Sequence, residues 1–183
     1  MSDTQWPRYE VFKQDNPKKR HESVGTVHAP DAELALMNAR DVFVRRPSAV
    51  SVWVVPVSAV FTITAEEMDL KLDWHQETVA TDAPAQTYYI FTKQSQRRSM
   101  AYVEHVGEVV APTAVRAIQQ AMRNSDFTPG DVFVWWAVPE TAVTRSEDDD
   151  IASMFAPAQD KTYRQQSYYG FVDPLRKSGK PEK

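Results

Sequence analysis

The sequence contains three blocks that occur twice in the same order. The blocks are an alternating aromatic segment, a Val-Gly segment that ends in Ala-Pro, and a segment with the pattern Trp-x-Val-Pro. They lie at residues 9–12 and 88–91, 24–30 and 106–112, and 52–56 and 135–139. The period of roughly 80 residues is too long for a solenoid repeat and typical of a small domain. We therefore predict that the chain is a tandem duplication of one module.

Each copy has the pattern of two strands, a helix and a third strand. In the first copy, residues 8–13 and 23–28 are rich in β-branched and aromatic side chains, which is typical of strands. The Asp-Asn-Pro at residues 15–17 predicts the turn between them. Pro30 suits the first position of a helix, apolar residues follow at helical spacing, and Pro47 prevents the helix from continuing.

The third strand of each copy is apolar on both faces. In the first copy, Val52 and Val54 alternate with Trp53 and Val55, whereas a strand with one wet face would alternate with polar residues. The helix can cover one face, and we expect the sheet of the other copy to cover the second. Trp53 and the equivalent Trp136 are therefore predicted to pack between the modules rather than to form a ligand platform.

These patterns predict an α+β fold. It consists of two tandem ββαβ modules with antiparallel sheets, related by a pseudo-two-fold axis and resembling a homodimer fused into one chain. We expect the first module at residues 1–64 and a polar, then Thr-, Ala- and Pro-rich linker at 65–86. The second, divergent module with a C-terminal tail is expected at 87–175, and a disordered tail at 176–183.

Composition excludes several classes of function. The 21 Lys and Arg residues and the 25 Asp and Glu residues leave a formal net charge of -4, which disfavours general binding to nucleic acid or to a membrane surface. Without cysteine, the chain cannot form disulfides, cysteine-ligated zinc sites or all-cysteine iron–sulfur clusters. No apolar run resembles a signal peptide or a membrane span, so we predict a cytoplasmic protein.

The sequence lacks the common catalytic motifs. No Glu-x-x-His marks a helix-borne di-iron site, and no His-Glu-x-x-His marks a zinc protease. The sequence also has no Gly-rich phosphate loop and no Gly-x-Ser-x-Gly. We therefore assign no catalytic, cofactor-binding or metal-binding residue and expect an accessory protein rather than an enzyme.

Three segments of the first copy resemble a known family. They are WPRYEVF (6–12), VGTVHAPDAELALMNARDVFVRR (24–46) and VSVWVV (50–55). Together they resemble the B subunit of phenylacetyl-CoA epoxidase, in the phenylacetic acid degradation protein B family. The resemblance implies a non-catalytic subunit that bridges a multicomponent monooxygenase. In that complex a separate di-iron subunit, paired with a structural partner subunit, epoxidises phenylacetyl-CoA with dioxygen and electrons from a reductase subunit.

The resemblance also implies where partner proteins dock. In the equivalent region the second copy has neither the Asn-Ala-Arg-Asp of residues 38–41 nor the Arg-Arg of residues 45–46, and the segment at 161–164, with two later tyrosines, resembles the C-terminal end of the family. The partner-interface candidates are Arg40, Asp41, Arg45, Arg46, Tyr163, Arg164, Tyr168 and Tyr169. The tyrosines alternatively belong to a tail that folds back on the core. Because the second copy lacks the arginine elements, we expect docking to be asymmetric.

We considered two other functions, of which the first remains compatible with the sequence. A dimeric α+β-barrel-like protein can hold a small molecule between its sheets, as a binder or as a cofactor-free oxygenase. A ferredoxin-like nucleic-acid module is disfavoured by the net acidity and by the lack of an aromatic, basic strand motif. Turnover of a substrate by the isolated chain would favour the first alternative, and co-purification with a di-iron subunit would favour the bridging role.

Overall fold

The structure is a computed structural model that describes residues 5–44, 49–70, 84–94, 103–127, 130–147 and 151–160. The first module comprises β1 (Arg8–Gln14), β2 (Glu22–His28), α1 (Ala32–Phe43), β3 (Ser51–Pro56), β4 (Phe61–Thr64) and α2 (Ala65–Leu70). The second comprises β5 (Gln86–Lys93), β6 (Glu104–Ala111), α3 (Ala114–Met122), β7 (Val134–Pro139), β8 (Thr144–Arg145), α4 (Ile151–Phe155) and α5 (Pro157–Asp160). The predicted tail at 176–183 and residues 71–83 of the predicted linker lie outside the described residues.

The strands of the described residues form one eight-stranded antiparallel sheet in the order β4-β7-β5-β6-β2-β1-β3-β8. Strands β1 to β4 of the first module correspond to β5 to β8 of the second. When each strand is replaced by its counterpart, the order of the sheet is reversed, so a pseudo-two-fold axis passes between β2 and β6. The two strands meet there at the pair Glu22–Glu104. The α+β fold with two antiparallel modules, predicted from the repeat, is confirmed.

Each module also exchanges a fourth strand with the other module. Strand β4 pairs with β7, and β8 pairs with β3. The predicted ββαβ module omitted these strands, although the alternation Phe61-Thr62-Ile63-Thr64 indicates one of them. Helix α2 follows β4 directly inside the predicted linker. It begins with a capping box in which the Glu67 amide donates to Thr64 Oγ1 at 3.1 Å and the Thr64 amide donates to Glu67 Oε2 at 3.0 Å.

The exchanged segments complete the outer cores of the modules. The core beneath α1 contains Val52 and Val54 of β3, and it also contains Met154, Phe155 and Ala158 from the end of the second module. In the same way, Met68 of α2 packs against the core beneath α3. Each module therefore buries its helix-side core with residues that the other module supplies.

The remaining faces of the two half-sheets pack against each other. Trp53 and Val55 of β3 join Phe91 and Val138 of the second module in a third core. The rings of Phe12 and Phe91 stack across the pseudo-two-fold axis with their centroids 4.2 Å apart, and both side chains are fully buried. The third strand is thus covered on both faces, as its doubly apolar pattern predicted. These side chains fill the centre of the space between the two half-sheets, where a ligand-binding barrel would hold its ligand.

Replacement of Gly107 by alanine is expected to lower the free energy of unfolding by about 2–4 kcal/mol, because the change combines overpacking with backbone strain. Gly107 has a φ of 159°, and a Cβ there would overlap the Phe127 ring. Gly25, its counterpart in the first module, has a φ of 134°. Urea unfolding measures the change. Gly130→Ala is the control, since a Cβ at Gly130 meets nothing within 4 Å; equal stability of the two variants would contradict the expectation.

Candidate functional site

Polar aromatic side chains gather around Trp53 at one end of the inter-module core. The His21 ring stacks on Trp53 with a centroid separation of 3.6 Å and an interplanar angle of 21°. Tyr89 stacks on the same indole at 5.3 Å, and His105 meets it edge-on at 5.3 Å. We call His21, Trp53, Tyr89, His105 and Arg145 the inter-module cluster.

Strand register brings these residues together from both modules. Trp53 of β3 lies opposite Arg145 of β8. Tyr89 and Phe91 are two residues apart in β5, so both side chains point to the same face, which lies toward the inter-module core. His21 directly precedes β2, and the His105 amide donates to its backbone carbonyl at 2.9 Å. The cluster therefore exists only when the two modules are in register.

Arg145 connects the cluster to the surface. Its guanidinium lies 5.9 Å from the Trp53 ring centroid and 5.6 Å from that of Tyr89. Arg145 Nη2 donates to Tyr89 Oη at 2.8 Å and to Glu140 Oε1 at 3.2 Å, and the Tyr89 hydroxyl donates to the same carboxylate oxygen at 3.1 Å. Burial raises the pKa of Tyr89, and the Arg145 charge opposes this shift, so the phenol stays protonated at neutral pH.

Both histidines of the cluster are held in the neutral form. Burial lowers the pKa of His21 to about 3, with smaller contributions from the charges of His105 and Arg145. Burial also lowers the pKa of His105 to about 4. His21 Nε2 lies 2.9 Å from Ser51 Oγ, whereas His105 Nε2 is buried without a hydrogen-bond partner among the described residues. A general acid or base works best with a pKa near the working pH, so these shifts favour a packing role.

The opposite end of the inter-module core has different chemistry. The Val-Gly blocks and the aromatic blocks align Glu10 with Tyr89 and Ser23 with His105. Ser23 Oγ donates to Glu10 Oε1 at 2.5 Å, and burial raises the pKa of Glu10 against the effect of this hydrogen bond. Trp136, the counterpart of Trp53, is half-buried and meets Phe12 edge-on at 6.2 Å. The fold is therefore pseudo-symmetric, but its interior is not.

Two of the predicted interface residues lie on the outer side of the first module. Arg40 Nε donates to Asp41 Oδ1 at 3.0 Å near the end of α1. The other six candidates, Arg45, Arg46, Tyr163, Arg164, Tyr168 and Tyr169, lie outside the described residues. The two tryptophans predicted to pack between the modules both contribute to the inter-module core, with Trp53 buried and Trp136 half-buried.

A groove of about 510 Å³ runs between α1 and the end of the second module. It is lined by Glu33, Leu36, Met37, Arg40, Thr144, Arg145, Ser146, Glu147, Ser153 and Met154. Sequence reasoning missed this groove because α4 was not predicted, although Met154-Phe155 after the acidic run indicated a buried segment.

The described residues offer neither a metal-ligand cluster nor a membrane-spanning helix. No group of three or more His, Asp or Glu side chains in the described ranges has the arrangement to hold a metal ion. None of the helices in that part of the chain has the length and apolar character needed to cross a membrane.

Comparison with known proteins agrees with the duplicated architecture. The sequence model of the family described as "Phenylacetic acid degradation B" matches residues 5–81 and again residues 84–176. The chain is 43% identical over 67 residues to the B subunit of 1,2-phenylacetyl-CoA epoxidase from Escherichia coli (strain K12), which is 37% of this chain and 70% of that protein. No solved structure matches the chain. With both modules matched, the chain belongs to the phenylacetic acid degradation B family, as a tandem duplication.

Proposed function

We propose that this chain is a non-catalytic bridging subunit of a multicomponent di-iron monooxygenase that epoxidises phenylacetyl-CoA in aerobic phenylacetate degradation. The observation that carries the proposal is the family match over both modules, together with a relative that is itself an epoxidase subunit. The partners in this proposal are the catalytic di-iron subunit and its structural partner subunit. A cytoplasmic location is part of it.

The inter-module cluster supports a structural role for the chain. His21 and His105, the residues best suited to proton transfer, are buried and kept neutral, and both pack against Trp53. Tyr89 is engaged by Arg145 and Glu140. These side chains join two modules into one body, which is what a bridging subunit needs.

We place the contact with the partner at the arginine-bearing end of the first module. The proposed residues are Arg40, Asp41, Arg45 and Arg46, with Tyr163, Arg164, Tyr168 and Tyr169 of the C-terminal segment. Arginines can form bidentate pairs with carboxylates of a partner, and such pairs contribute strongly when they are desolvated. Arg40 already lines the groove beside α1.

Reconstitution tests the proposal. The di-iron subunit, its structural partner and the reductase are assayed for consumption of phenylacetyl-CoA with dioxygen and NADPH, with and without this chain. We expect no turnover by the chain alone, no stoichiometric iron in it, and higher activity of the complex when it is present. Turnover by the isolated chain would refute the non-catalytic role, and an unchanged rate without the chain would refute the bridging role.

The double variant Arg45→Ala/Arg46→Ala is expected to weaken binding of the catalytic assembly by about tenfold or more, because each truncated interface arginine can cost about 1 kcal/mol or more. Arg123→Ala is the control, since Arg123 is exposed after α3 of the second module. Thermal melts first establish that both variants fold. Equal affinities of the two variants would contradict the proposed interface.

A further inference from the structure

The loop between β1 and β2 presents three consecutive cations, Lys18, Lys19 and Arg20, which we call the basic triplet. All three residues are exposed, and among the described residues none of them has an ion-pair partner. The acidic residue of the same loop, Asp15, is already held by Lys13, with 3.0 Å between Nζ and Oδ1. The loop therefore carries uncompensated positive charge on a chain whose formal net charge is -4.

Hydrogen bonds to the backbone fix the shape of this loop. The Lys19 amide donates to the Asn16 carbonyl at 3.0 Å, and the Lys18 amide donates to Asn16 Oδ1 at 3.0 Å. Gln14 Nε2 donates to the Lys19 carbonyl at 2.7 Å. The side chains of Lys18 and Lys19 take part in none of these bonds. The turn therefore presents both ammonium groups from a fixed backbone, and their removal leaves the bonds that shape it intact.

The basic triplet lies at the end of the first module where α1 ends. Helix α1 follows the end of β2 and leads into the start of β3, where Ser51 is paired with Gln14, the last residue of β1. The last turn of α1 carries Arg40 of the proposed partner contact. Arg45 and Arg46, which lie outside the described residues, follow this turn in the sequence. The basic triplet and the last turn of α1 therefore share one end of the module.

The chemistry of the basic triplet suits an acidic protein surface better than a phosphate group. Phosphate sites are typically built from backbone amides that point together into a concave site. The amides of Lys18 and Lys19 are instead used inside the turn, and the groove beside α1 includes no side chain of the basic triplet. Exposed cations on a turn act mainly through long-range attraction, which raises the rate at which an acidic partner associates.

We propose that the basic triplet steers a carboxylate-rich surface of the catalytic assembly to the end of the first module where α1 ends. The inference rests on the proposed function and adds to it the chemistry of the partner surface. Attraction between exposed charges acts over about 8–10 Å at moderate salt, so the basic triplet acts before the two surfaces touch. Its removal should therefore slow association more than it speeds dissociation.

Two variants with the same change in net charge test the proposal. Lys18→Ser/Lys19→Ser removes two cations of the basic triplet, and Arg116→Ser/Arg123→Ser removes two exposed cations of the second module. Arg20 is left in place because its charge also lowers the pKa of His105. Melting curves establish that both variants fold. Rates of association and dissociation are then measured with the di-iron subunit and its structural partner.

At low salt, we expect the lysine variant to associate about fivefold more slowly than the unaltered chain, and the arginine variant to change by less than about twofold. The dissociation rate of the lysine variant should change by less than about twofold. The difference in association should disappear as salt is raised toward about 1 M, where screening reduces the range of the attraction to about 3 Å.

Three results would overturn the proposal. Equal association rates of the two variants at low salt would remove the basic triplet from docking, and slow association that persists at high salt would show that its effect is not electrostatic. The third result is binding of coenzyme A to the isolated chain that the lysine variant abolishes, since it would assign the basic triplet to a phosphate ligand. No binding of the assembly by the unaltered chain refutes the proposed function and, with it, this inference. Normal association by the lysine variant refutes the basic triplet alone.

Discussion

Replacement of Trp53 by alanine is expected to lower the free energy of unfolding by about 3–5 kcal/mol, the usual cost of removing a buried tryptophan. The side chain is 9% exposed and contacts His21, Tyr89 and His105, so its loss leaves a cavity where the two modules meet. The cavity would also leave Arg145 without the indole that it covers. Removal of Trp53 should therefore weaken both modules at once, in one cooperative transition.

Urea unfolding followed by far-ultraviolet circular dichroism measures this loss without depending on tryptophan emission. Trp136→Ala is the matched control, because Trp136 holds the equivalent place in the second module but is only half-buried. We expect a smaller loss for the control. A loss below about 1 kcal/mol for Trp53→Ala would show that this side chain is not part of the core.

Acid is expected to destabilise the chain by about 4 kcal/mol between about pH 7.5 and about pH 5 through His21 and His105. The usual pKa of 6.5 applies to both in the unfolded chain, whereas burial lowers the pKa of His21 to about 3 and that of His105 to about 4 in the fold. The stabilisation is present in full above pH 6.5. It falls as the pH falls toward the folded values, because the unfolded chain then binds more protons. Each histidine contributes about 2 kcal/mol over the stated interval.

Glu10 contributes to the pH dependence of stability with the opposite sign. Burial raises its pKa, so the folded chain takes up this proton more readily than the unfolded chain, and acidification through Glu10 reduces the net loss. The contributions are separated by comparing urea unfolding at the two pH values for the unaltered chain, for His21→Gln and for His105→Gln. Each variant should lose about 2 kcal/mol less on acidification than the unaltered chain. An acid loss of the same size in all three proteins would contradict the assignment.

The duplication and the third strand that is apolar on both faces could be predicted from the sequence, because both appear as repeated patterns within short segments. Val52, Trp53, Val54 and Val55 alternate in a single strand, and strand geometry alone sends them to opposite faces. The same pattern required a second sheet as cover, and the duplication provided it. The alignment of Trp53 with Trp136 likewise placed both side chains near the contact between the modules.

The exchanged strands and the groove were not predicted, because they are formed by segments that contact each other but lie far apart in the sequence. Strand β8 has two residues, and its pairing with β3 joins Arg145 to Trp53 across the whole second module. Sequence patterns show that a segment such as 61–64 is a strand, but they do not show which edge it joins. Helix α4 was hidden for the same reason, since its apolar residues cover the core of the other module.

The sequence by itself therefore determined the repeat, the family, and the first two strands, the helix and the third strand of each module, because these depend on local order and composition. Only the tertiary structure decided that His21, Trp53, Tyr89, His105 and Arg145 form one cluster. These residues come from five separate segments, and all of them except Trp53 differ from their counterparts in the repeat. Their contacts depend on the register between β2 and β6 and on the exchange of β8, which place two neutral histidines against one indole. Long-range pairing, rather than local pattern, thus sets the chemistry at the contact between the modules.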